Sequence, residues 1–456
     1  MSMPGARVPI DLGRMLDEAP WSAFQKRLLV FAALAFGVDG MANQVLGLAI
    51  PALIRDWGAS RAAFAPVAAL GLIGVAVGAA LGGMLGDRFG RRAGLIGSVL
   101  LFGLMTTGTA FAHGMTSLTC LRLLAGLGIG GAIPNGAALI SEFTPAHRRS
   151  LAIALGMVFI PVGGLLAGIV ATAMLPQFGW RGLFLIAGAL PLLLALVFTF
   201  VLPESPRFLA RVKADHAKLR VILERCGQRL ELGAIFAEPT RSQGRTRLNV
   251  LFGSELLADT LALWSGFFFC LLASYTMFSW IPTMLAGQGF AVSMTSLGMT
   301  AFNLGGVIGG VAGGWLIGRL GSRISVLGLG AGCVVGALAL GLLPLEPLHG
   351  VLRIITLLVI EGFFIAGLHN GLYTLAACIY PTFARATGVG AAASVGRIGA
   401  VLSSYTGIIT LELAGASGYF ILIAAAAGVS VVSVALIRHH IPRNAAPRGI
   451  GQAARV

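Results

Sequence analysis

The sequence predicts an all-α membrane protein with twelve transmembrane helices arranged in two six-helix bundles. Of its 456 residues, 57% are hydrophobic and only 11% are charged, whereas a soluble domain carries about 25% charged residues. Apolar runs recur along the whole chain, and a helix of ~20 residues crosses a ~30 Å hydrocarbon core. Helices are expected because a span in lipid must satisfy its backbone polar groups internally.

The apolar runs give six spans on each side of a polar, basic segment. The spans are predicted near residues 28–53, 62–85, 93–112, 117–140, 150–175, 181–202, 256–286, 295–319, 324–344, 351–378, 386–411 and 415–438. The predicted domains are a cytoplasmic N-terminal segment (1–27), an N-terminal bundle (28–202), a cytoplasmic linker (203–255), a C-terminal bundle (256–438) and a cytoplasmic tail (439–456).

The formal charge of +15 lies between the apolar runs and not in one folded patch, which argues against a nucleic-acid partner. Arginines and lysines collect before the first span, in the linker and after the even-numbered spans. The positive-inside rule therefore places both termini in the cytoplasm. The N-terminal segment has no short apolar region followed by a cleavage site, so no removable signal peptide is expected.

The two halves repeat each other weakly. Residues 314–323 echo residues 83–92 at an offset of 314 − 83 = 231, without the acid and one of the cations. Residues 381–385 resemble residues 145–149 at an offset of 381 − 145 = 236. Repeats six spans apart share their membrane orientation, which is typical of two bundles that rock about a central site.

Residues 83–92 fit the pattern G-x-x-x-D-R-x-G-R-R at every specified position. Gly83 is expected to let two helices approach closely, and Gly90 to permit a tight turn. Charge-assisted bonds that hold the cytoplasmic side shut are expected among Asp87, Arg88, Arg91 and Arg92. A basic loop that only fixes topology is the alternative.

Three isolated charges fall inside apolar spans, and such charges are expected to be functional. Asp39 and Arg397 lie near the middle of spans one and eleven, so they are candidates to pair in one state and separate in another; a static ion pair is the alternative. Arg122 begins span four beside several small residues and is predicted to face the bundle interior. Snorkelling to the membrane surface is the alternative for Arg122.

Two weaker groups of residues complete the predicted pathway. Glu361 in span ten is followed two turns later by His369 and Asn370, a group that helix packing explains about as well. In span seven, Tyr275, Trp280 and the run Phe267–Phe269 are candidates to stack on an aromatic solute, although aromatic side chains in spans more often face lipid or the interface.

Motifs for enzymatic chemistry are missing from the sequence. It has no G-x-x-x-x-G-K-[ST], no nucleophile elbow and no metal-ligand spacing, so neither an enzyme nor an ATP-driven pump is indicated, and no cofactor or metal is expected. Its five cysteines show no C-x-x-C spacing. Neither a disulfide framework nor a metal site follows from them.

Over its whole length the chain resembles the aromatic acid:proton symporters of the major facilitator superfamily. Besides the motif at 83–92, the likeness is carried by residues 39–40, 122–135, 141–142, 148–149, 178–181, 203–208, 279–282, 380–388 and 396–399. The resemblance implies the major facilitator fold and proton-coupled import of an aromatic carboxylate, such as a hydroxybenzoate or a phenylpropionate, through a bacterial inner membrane.

The chain departs from this branch in span one. Related proteins usually carry D-G-x-D there, whereas this chain has Ala42 at the second acidic position. Asn43 adds polarity but cannot titrate. The remaining candidates to carry a proton are Asp39, Glu142, Glu361 and His369.

The resulting hypothesis is alternating access of two bundles around a central cavity. Arg122 or Arg397 attracts the substrate carboxylate, Asp39 links occupancy to protonation, and Asn135 lies along the path. Glu142 and Arg149 belong to the cytoplasmic gate. The expected partners are substrate, protons and the lipid bilayer, and the expected state is a monomer. A drug or metabolite exporter, a weakly coupled facilitator and a non-transporting sensor are the alternatives.

Overall fold

The computed structural model describes residues 10–18, 20–210, 216–228, 236–237, 251–253, 256–344, 350–381 and 384–442. The helices are α1 (Leu12–Asp17), α2 (Ala23–Trp57), α3 (Ala65–Phe89), α4 (Arg91–Thr109), α5 (Met115–Phe143), α6 (Ala146–Val201), α7 (Pro206–Phe208), α8 (His216–Arg225), α9 (Leu257–Gly287), α10 (Val292–Leu320), α11 (Ser322–Leu342), α12 (Val351–Ile379) and α13 (Arg385–Leu436). A 3-10 turn, Arg61–Phe64, precedes α3. Within the described residues, the strands are Ile10–Asp11 and Phe236–Ala237, which pair in parallel.

Twelve helices within the described residues account for the predicted spans. Nine helices are long and apolar enough to cross a membrane. Two of them, α6 and α13, are each divided by one non-helical glycine, Gly179 (φ 61°) and Gly415 (φ 62°), and so form two helices apiece. The 19-residue helix α4 completes the set. The prediction of an all-α membrane protein with twelve spans is confirmed.

The turns of the chain repeat between its halves. Gly90, between α3 and α4, has a φ of 108°, and Gly321, between α10 and α11, has a φ of 82°. Their offset, 321 − 90 = 231, is that of the first sequence repeat. The two glycines that divide α6 and α13 have the second offset, 415 − 179 = 236. A positive φ favours glycine because the residue has no Cβ.

The chain divides into two compact units. Unit 1 comprises Met1–Asn43, Ile73–Gly163 and Phe184–Gln243. Its apolar core is formed by residues of α3, α4, α5 and α6, among them Val75, Val99, Phe102, Ile129 and Phe198. Within it, α3 packs closely on α5: a Cβ at Gly78 would lie 2.1 Å from the carbonyl oxygen of Leu127. Small residues permit such close helix packing in a membrane.

Unit 2 comprises Gln44–Leu72, Gly164–Leu183 and Gly244–Val456. In it α9 packs mainly on α13, and α10 packs mainly on α12. A Cβ at Gly309 would lie 1.9 Å from the carbonyl oxygen of Phe363. Gly309 follows Gly78 at the offset of the first repeat, 309 − 78 = 231, so the same close helix contact occurs in both halves.

The predicted domain division is not tested by these two units and stays a prediction. Parts of the predicted linker (203–255) and most of the predicted tail (439–456) lie outside the described residues. Several helices are longer than the predicted spans, whereas α4, with 19 residues, is slightly shorter than span three at 93–112. Span one, for example, is predicted at 28–53 and belongs to the longer α2, Ala23–Trp57.

Candidate functional site

Aromatic and basic side chains from three helices of unit 2 gather around Tyr373 of α12. The Phe267 ring of α9 meets the Tyr373 ring edge-on, with centroids 4.9 Å apart, and the His369 ring lies 5.3 Å from it. Arg397 of α13 and Tyr275 of α9 are close enough to interact electrostatically with the Tyr373 hydroxyl. We call these five residues the aromatic–basic cluster.

The local structure explains why these side chains meet. His369 and Tyr373 are four residues apart in α12, and residues at that spacing lie on the same face of a helix. That face meets α9 through Phe267, while α13 runs along α9 over much of its length. Tyr373 was absent from the predicted site, although its spacing from His369 was a usable signal.

Arg397 is the member of the cluster that is available to bind an anion. Its side chain is partly exposed, and the Tyr373 residue beside it is 38% exposed. Among the residues that the structure describes, none forms a hydrogen bond or an ion pair with the Arg397 guanidinium. A guanidinium binds a carboxylate through two parallel hydrogen bonds. Within that part of the chain, the cluster therefore offers an unpaired cation beside aromatic surface.

The other predicted residues of unit 2 lie outside the cluster. Trp280 is fully buried and packs on α13, where a Cβ at Gly407 would lie 2.7 Å from its ring. Asn370 is exposed and lies beside Gly310 of α10. Glu361 is fully buried and faces α11. The pathway roles predicted for these three residues stay predictions.

Unit 1 holds Asp39 in a part of α2 that packs closely on α6. Asp39 is fully buried, and its backbone oxygen accepts a hydrogen bond of 3.2 Å from the Asn43 side chain. A Cβ at Gly40 would lie 2.0 Å from the carbonyl oxygen of Ile160. Ala42, at the position of the missing acid, is also buried. The proposed pairing of Asp39 with Arg397 stays a prediction.

Arg122 lies in the interior of unit 1, in agreement with the predicted orientation and not with snorkelling. The side chain is buried, and its Nη2 donates to the hydroxyls of Thr106 at 3.5 Å and Thr109 at 3.3 Å. Its guanidinium also lies 4.8 Å from the centre of the Phe184 ring. Hydroxyl oxygens and an aromatic face stabilise a buried cation without neutralising it.

Asn135 lies at the close contact of α3, α4 and α5 and not beside Arg122. Its amide nitrogen donates to the backbone oxygens of Gly82 and Gly131, each at 2.8 Å. A Cβ at Gly86 or at Gly94 would collide with the Asn135 side chain. This amide therefore joins three helices.

A charge network joins α3, α4 and α5 at the predicted cytoplasmic gate. Arg91 forms an ion pair with Asp87 at 2.5 Å and approaches Glu142 at 3.7 Å. Glu142 accepts a hydrogen bond from the hydroxyl of Ser205, just before α7. The bonds predicted among the residues of the 83–92 motif are thus present for Asp87 and Arg91.

Glu204 is a member of this network that the sequence did not predict. Its carboxylate accepts hydrogen bonds from the backbone N–H groups of Arg92 at 3.1 Å and Ser205 at 2.9 Å. It lies against Gly90, the residue before α4. A carboxylate at this position stabilises the N-terminus of a helix because the N–H groups there lack helical partners. The available signal was its place just after the end of the sixth predicted span.

The remaining gate residues differ in their roles. Arg149 pairs with Asp17 of α1 and donates to the backbone oxygen of Ser141 at 2.8 Å. Arg88 lies 5.4 Å from the ring of Phe89. The expectation that Gly83 permits close helix packing is wrong, because a Cβ there would meet nothing within 4 Å. Its neighbour Gly82 has that role, since a Cβ there would lie 2.4 Å from the Cα of Gly131.

Comparison with known proteins identifies related transporters. A model of the Major Facilitator Superfamily matches residues 32–404 and 263–455. The gallate transporter of Pseudomonas putida is 34% identical over 418 residues, 91% of each chain. The 4-hydroxybenzoate transporter PcaK of Pseudomonas aeruginosa is 34% identical over 89% of this chain and 90% of its own. The 3-(3-hydroxy-phenyl)propionate transporter of Escherichia coli is 32% identical over 91% of this chain and 94% of its own.

Solved structures share the fold at lower identity. A bacterial homologue of the human lysosomal transporter Spinster, in an inward-facing and occupied conformation, aligns with a TM-score of 0.70 and 17% identity, over 92% of this chain and 97% of its own. A D-xylose-proton symporter aligns with a TM-score of 0.69 and 18% identity, over 93% and 99%. These alignments show a common architecture.

Proposed function

Because the chain belongs to the Major Facilitator Superfamily, and is therefore a membrane transporter and not an enzyme, we propose that it imports an aromatic carboxylate together with protons. The observation that carries the proposal is the aromatic–basic cluster, in which Arg397 has no anionic partner among the described residues. The relatives named for gallate, 4-hydroxybenzoate and 3-(3-hydroxy-phenyl)propionate transport support the same substrate class.

In this proposal the two ends of the substrate are bound by different parts of the cluster. The carboxylate pairs with the Arg397 guanidinium through two hydrogen bonds. The ring of the substrate packs against the exposed Tyr373 ring, which the buried Phe267 ring holds in place from α9, since aromatic rings attract one another edge-on or offset. Arg122 is the weaker candidate for the carboxylate, because it is buried and already bound to two hydroxyls and an aromatic face.

Proton coupling is assigned to the buried acid of unit 1. Asp39 is fully buried in α2, and moving a charged carboxylate out of water is so unfavourable that its protonation responds to nearby charge. The network of Asp87, Arg91 and Glu142 steadies the cytoplasmic gate. We further propose a monomer in the bacterial inner membrane with both termini in the cytoplasm, which the arginine distribution supports.

The test is uptake of labelled 4-hydroxybenzoate into proteoliposomes, driven by an inward proton gradient. The proposal predicts accumulation that an uncoupler abolishes. Arg397→Lys keeps the charge but loses the planar fork, and loss of one good charge-assisted contact, about 1.5 kcal/mol, is expected to reduce uptake roughly tenfold. The matched control is Arg353→Lys, at an exposed arginine near the start of α12, which is expected to transport normally.

The outcomes separate the alternatives. Uptake by the Arg397→Lys variant equal to that of the control would exclude the carboxylate role of Arg397. Net efflux from preloaded vesicles, without proton-driven uptake, would identify an exporter. Substrate binding without flux in either direction would identify a sensor. Asp39→Asn is expected to abolish accumulation against a gradient while the protein still reaches the membrane.

A further inference from the structure

Glu361 is a buried carboxyl group that the proposed substrate site does not use. It lies in the middle of α12 and is 0% exposed. One carboxyl oxygen, Oε1, accepts a hydrogen bond of 3.0 Å from the thiol of Cys333 in α11. The other, Oε2, has no hydrogen-bond partner among the described residues. It faces Gly336, where a Cβ would lie 2.4 Å from it.

The surroundings of Glu361 favour a neutral carboxyl group. A thiol is a weak hydrogen-bond donor, and no cation within the described residues forms an ion pair with this side chain. An uncompensated charge buried in this way is strongly unfavourable. The carboxyl group is therefore protonated in this conformation, and the absence of a Cβ at Gly336 makes room for Oε2 itself.

The titratable neighbours of Glu361 are two buried thiols from α9 and α11. From α11, Cys333 contacts it directly. From α9, Cys270 interacts electrostatically with Cys333, and also with Tyr373 at the centre of the cluster. In the described parts of α10 and α13, no charged or titratable side chain acts on Glu361.

We propose that Glu361 binds a proton during the transport cycle. It thereby supplies a second carboxyl group in a chain that has Ala42 where related proteins usually have their second acid in span one. The inference rests on the proposed proton-coupled function. Glu361 binds its proton in the buried conformation seen here. When water reaches Oε2 beside Gly336 in another conformation, the O–H bond breaks, the water takes the proton, and a carboxylate is left.

A purely structural acid is the rival explanation, and Glu361→Gln distinguishes the two. Glutamine keeps the shape of the protonated acid and an oxygen that accepts from Cys333, but it cannot release a proton. The proposal predicts that proton-driven accumulation of 4-hydroxybenzoate falls at least tenfold. Exchange of labelled for unlabelled substrate, which needs no net proton movement, stays within twofold of the unmodified protein. The matched control is Glu412→Gln, at an exposed glutamate of α13, which leaves both activities unchanged.

A second variant tests the same site without replacing the acid. Cys333→Ala removes the thiol that donates to the carboxylate oxygen, which disfavours the charged form. The pH at which uptake is half-maximal is expected to move to a higher value. The matched control is Cys378→Ala, at an exposed cysteine of the same helix as Glu361, and its midpoint stays in place.

The results have separate meanings. Normal accumulation by Glu361→Gln, or loss of accumulation and exchange together, would overturn the role of Glu361 while leaving the Arg397 results intact. If the glutamine variant does not reach the membrane, an unchanged pH midpoint for Cys333→Ala overturns the role instead. Absence of proton-driven uptake in the unmodified protein would refute the proposed function itself.

Discussion

Two buried amides in unit 2, distant in the sequence, exchange hydrogen bonds. Gln44 of α2 donates to Asn303 of α10 at 2.9 Å, and Asn303 donates back at 2.7 Å. Both side chains are at most 5% exposed. A Cβ at Gly164 of α6 would lie 2.2 Å from the Gln44 amide nitrogen. The pair is therefore enclosed by three helices, and we expect it to stabilise their packing.

The size of this coupling follows from the two bonds. Side-chain hydrogen bonds between membrane helices contribute about 0.6 kcal/mol each on average. Two bonds then give a coupling of about 1.2 kcal/mol, roughly an eightfold change in the unfolding equilibrium. Gln44→Met and Asn303→Leu preserve volume, and each leaves the other amide short of a partner at a cost of about 1–3 kcal/mol. The double variant is expected to be more stable than the sum of the two losses predicts.

The assay is a double-mutant cycle, with unfolding by sodium dodecyl sulfate in mixed micelles followed by circular dichroism. A control cycle combines Gln44→Met with Thr356→Val. Within the described residues the Thr356 side chain bonds to the backbone of its own helix, so these two variants are expected to be additive. If the Gln44 and Asn303 variants are additive within about 0.3 kcal/mol, the amide pair does not stabilise unit 2 and the reasoning is refuted.

Two further predictions concern unit 1. Glu204→Gln removes the charge at the start of α4, and we expect the free energy of unfolding in mixed micelles to fall by about 0.5–1 kcal/mol; an unchanged value would show that the carboxylate does not act on that helix end. Gly163→Val would place a Cβ 1.8 Å from the carbonyl oxygen of Gly37, so we expect little folded protein by size-exclusion chromatography. The control is Gly83→Ala, where a Cβ meets nothing within 4 Å, and this variant is expected to fold normally. Equal yields of folded protein for the two variants would contradict the packing argument.

The number and type of helices could be predicted because lipid imposes simple requirements. A span needs a long apolar run and internal hydrogen bonds, and both are visible in the sequence. The turn at Gly90 was predictable for a similar reason, since the glycine lies in a dense local motif and its φ is 108°. Composition and local spacing carried these predictions.

Side-chain partners were harder to predict because they depend on which face of a helix meets which neighbour. Gly83 and Gly82 are adjacent in the sequence, yet only Gly82 lies against α5. Trp280 was a candidate for the substrate path and is fully buried against α13. Glu204 binds the first turn of α4 although four predicted spans separate the two in the sequence. Contacts between residues so far apart in the sequence cannot be predicted from a local sequence pattern.

The repeat supplies a better guide to these partners than either half alone. Pro51 in α2 and Pro282 in α9 both lie inside helices. Their offset is again that of the first repeat, 282 − 51 = 231, so the two helices can be aligned. On this alignment Asp39 corresponds to Cys270, since 270 − 39 = 231. The halves therefore share a backbone but place different chemistry at one buried position, an acid in unit 1 and a thiol in unit 2.

The difference between Asp39 and Cys270 indicates which matched positions are candidates for function. One matched pair of positions is used for packing: Gly78 and Gly309 both bring two helices into close contact, and a larger side chain at either would disrupt that contact. The position of Asp39 and Cys270 carries a different side chain in each half, so the shared backbone does not require the same residue there. Cys270, at this position in unit 2, is fully buried and interacts electrostatically with Tyr373 and with the Cys333 thiol that binds Glu361. When only one of two matched buried positions carries a carboxyl group, a transporter with two bundles can bind a proton in one bundle and not in the other. Asp39 in unit 1, matched by Cys270 in unit 2, is such a position.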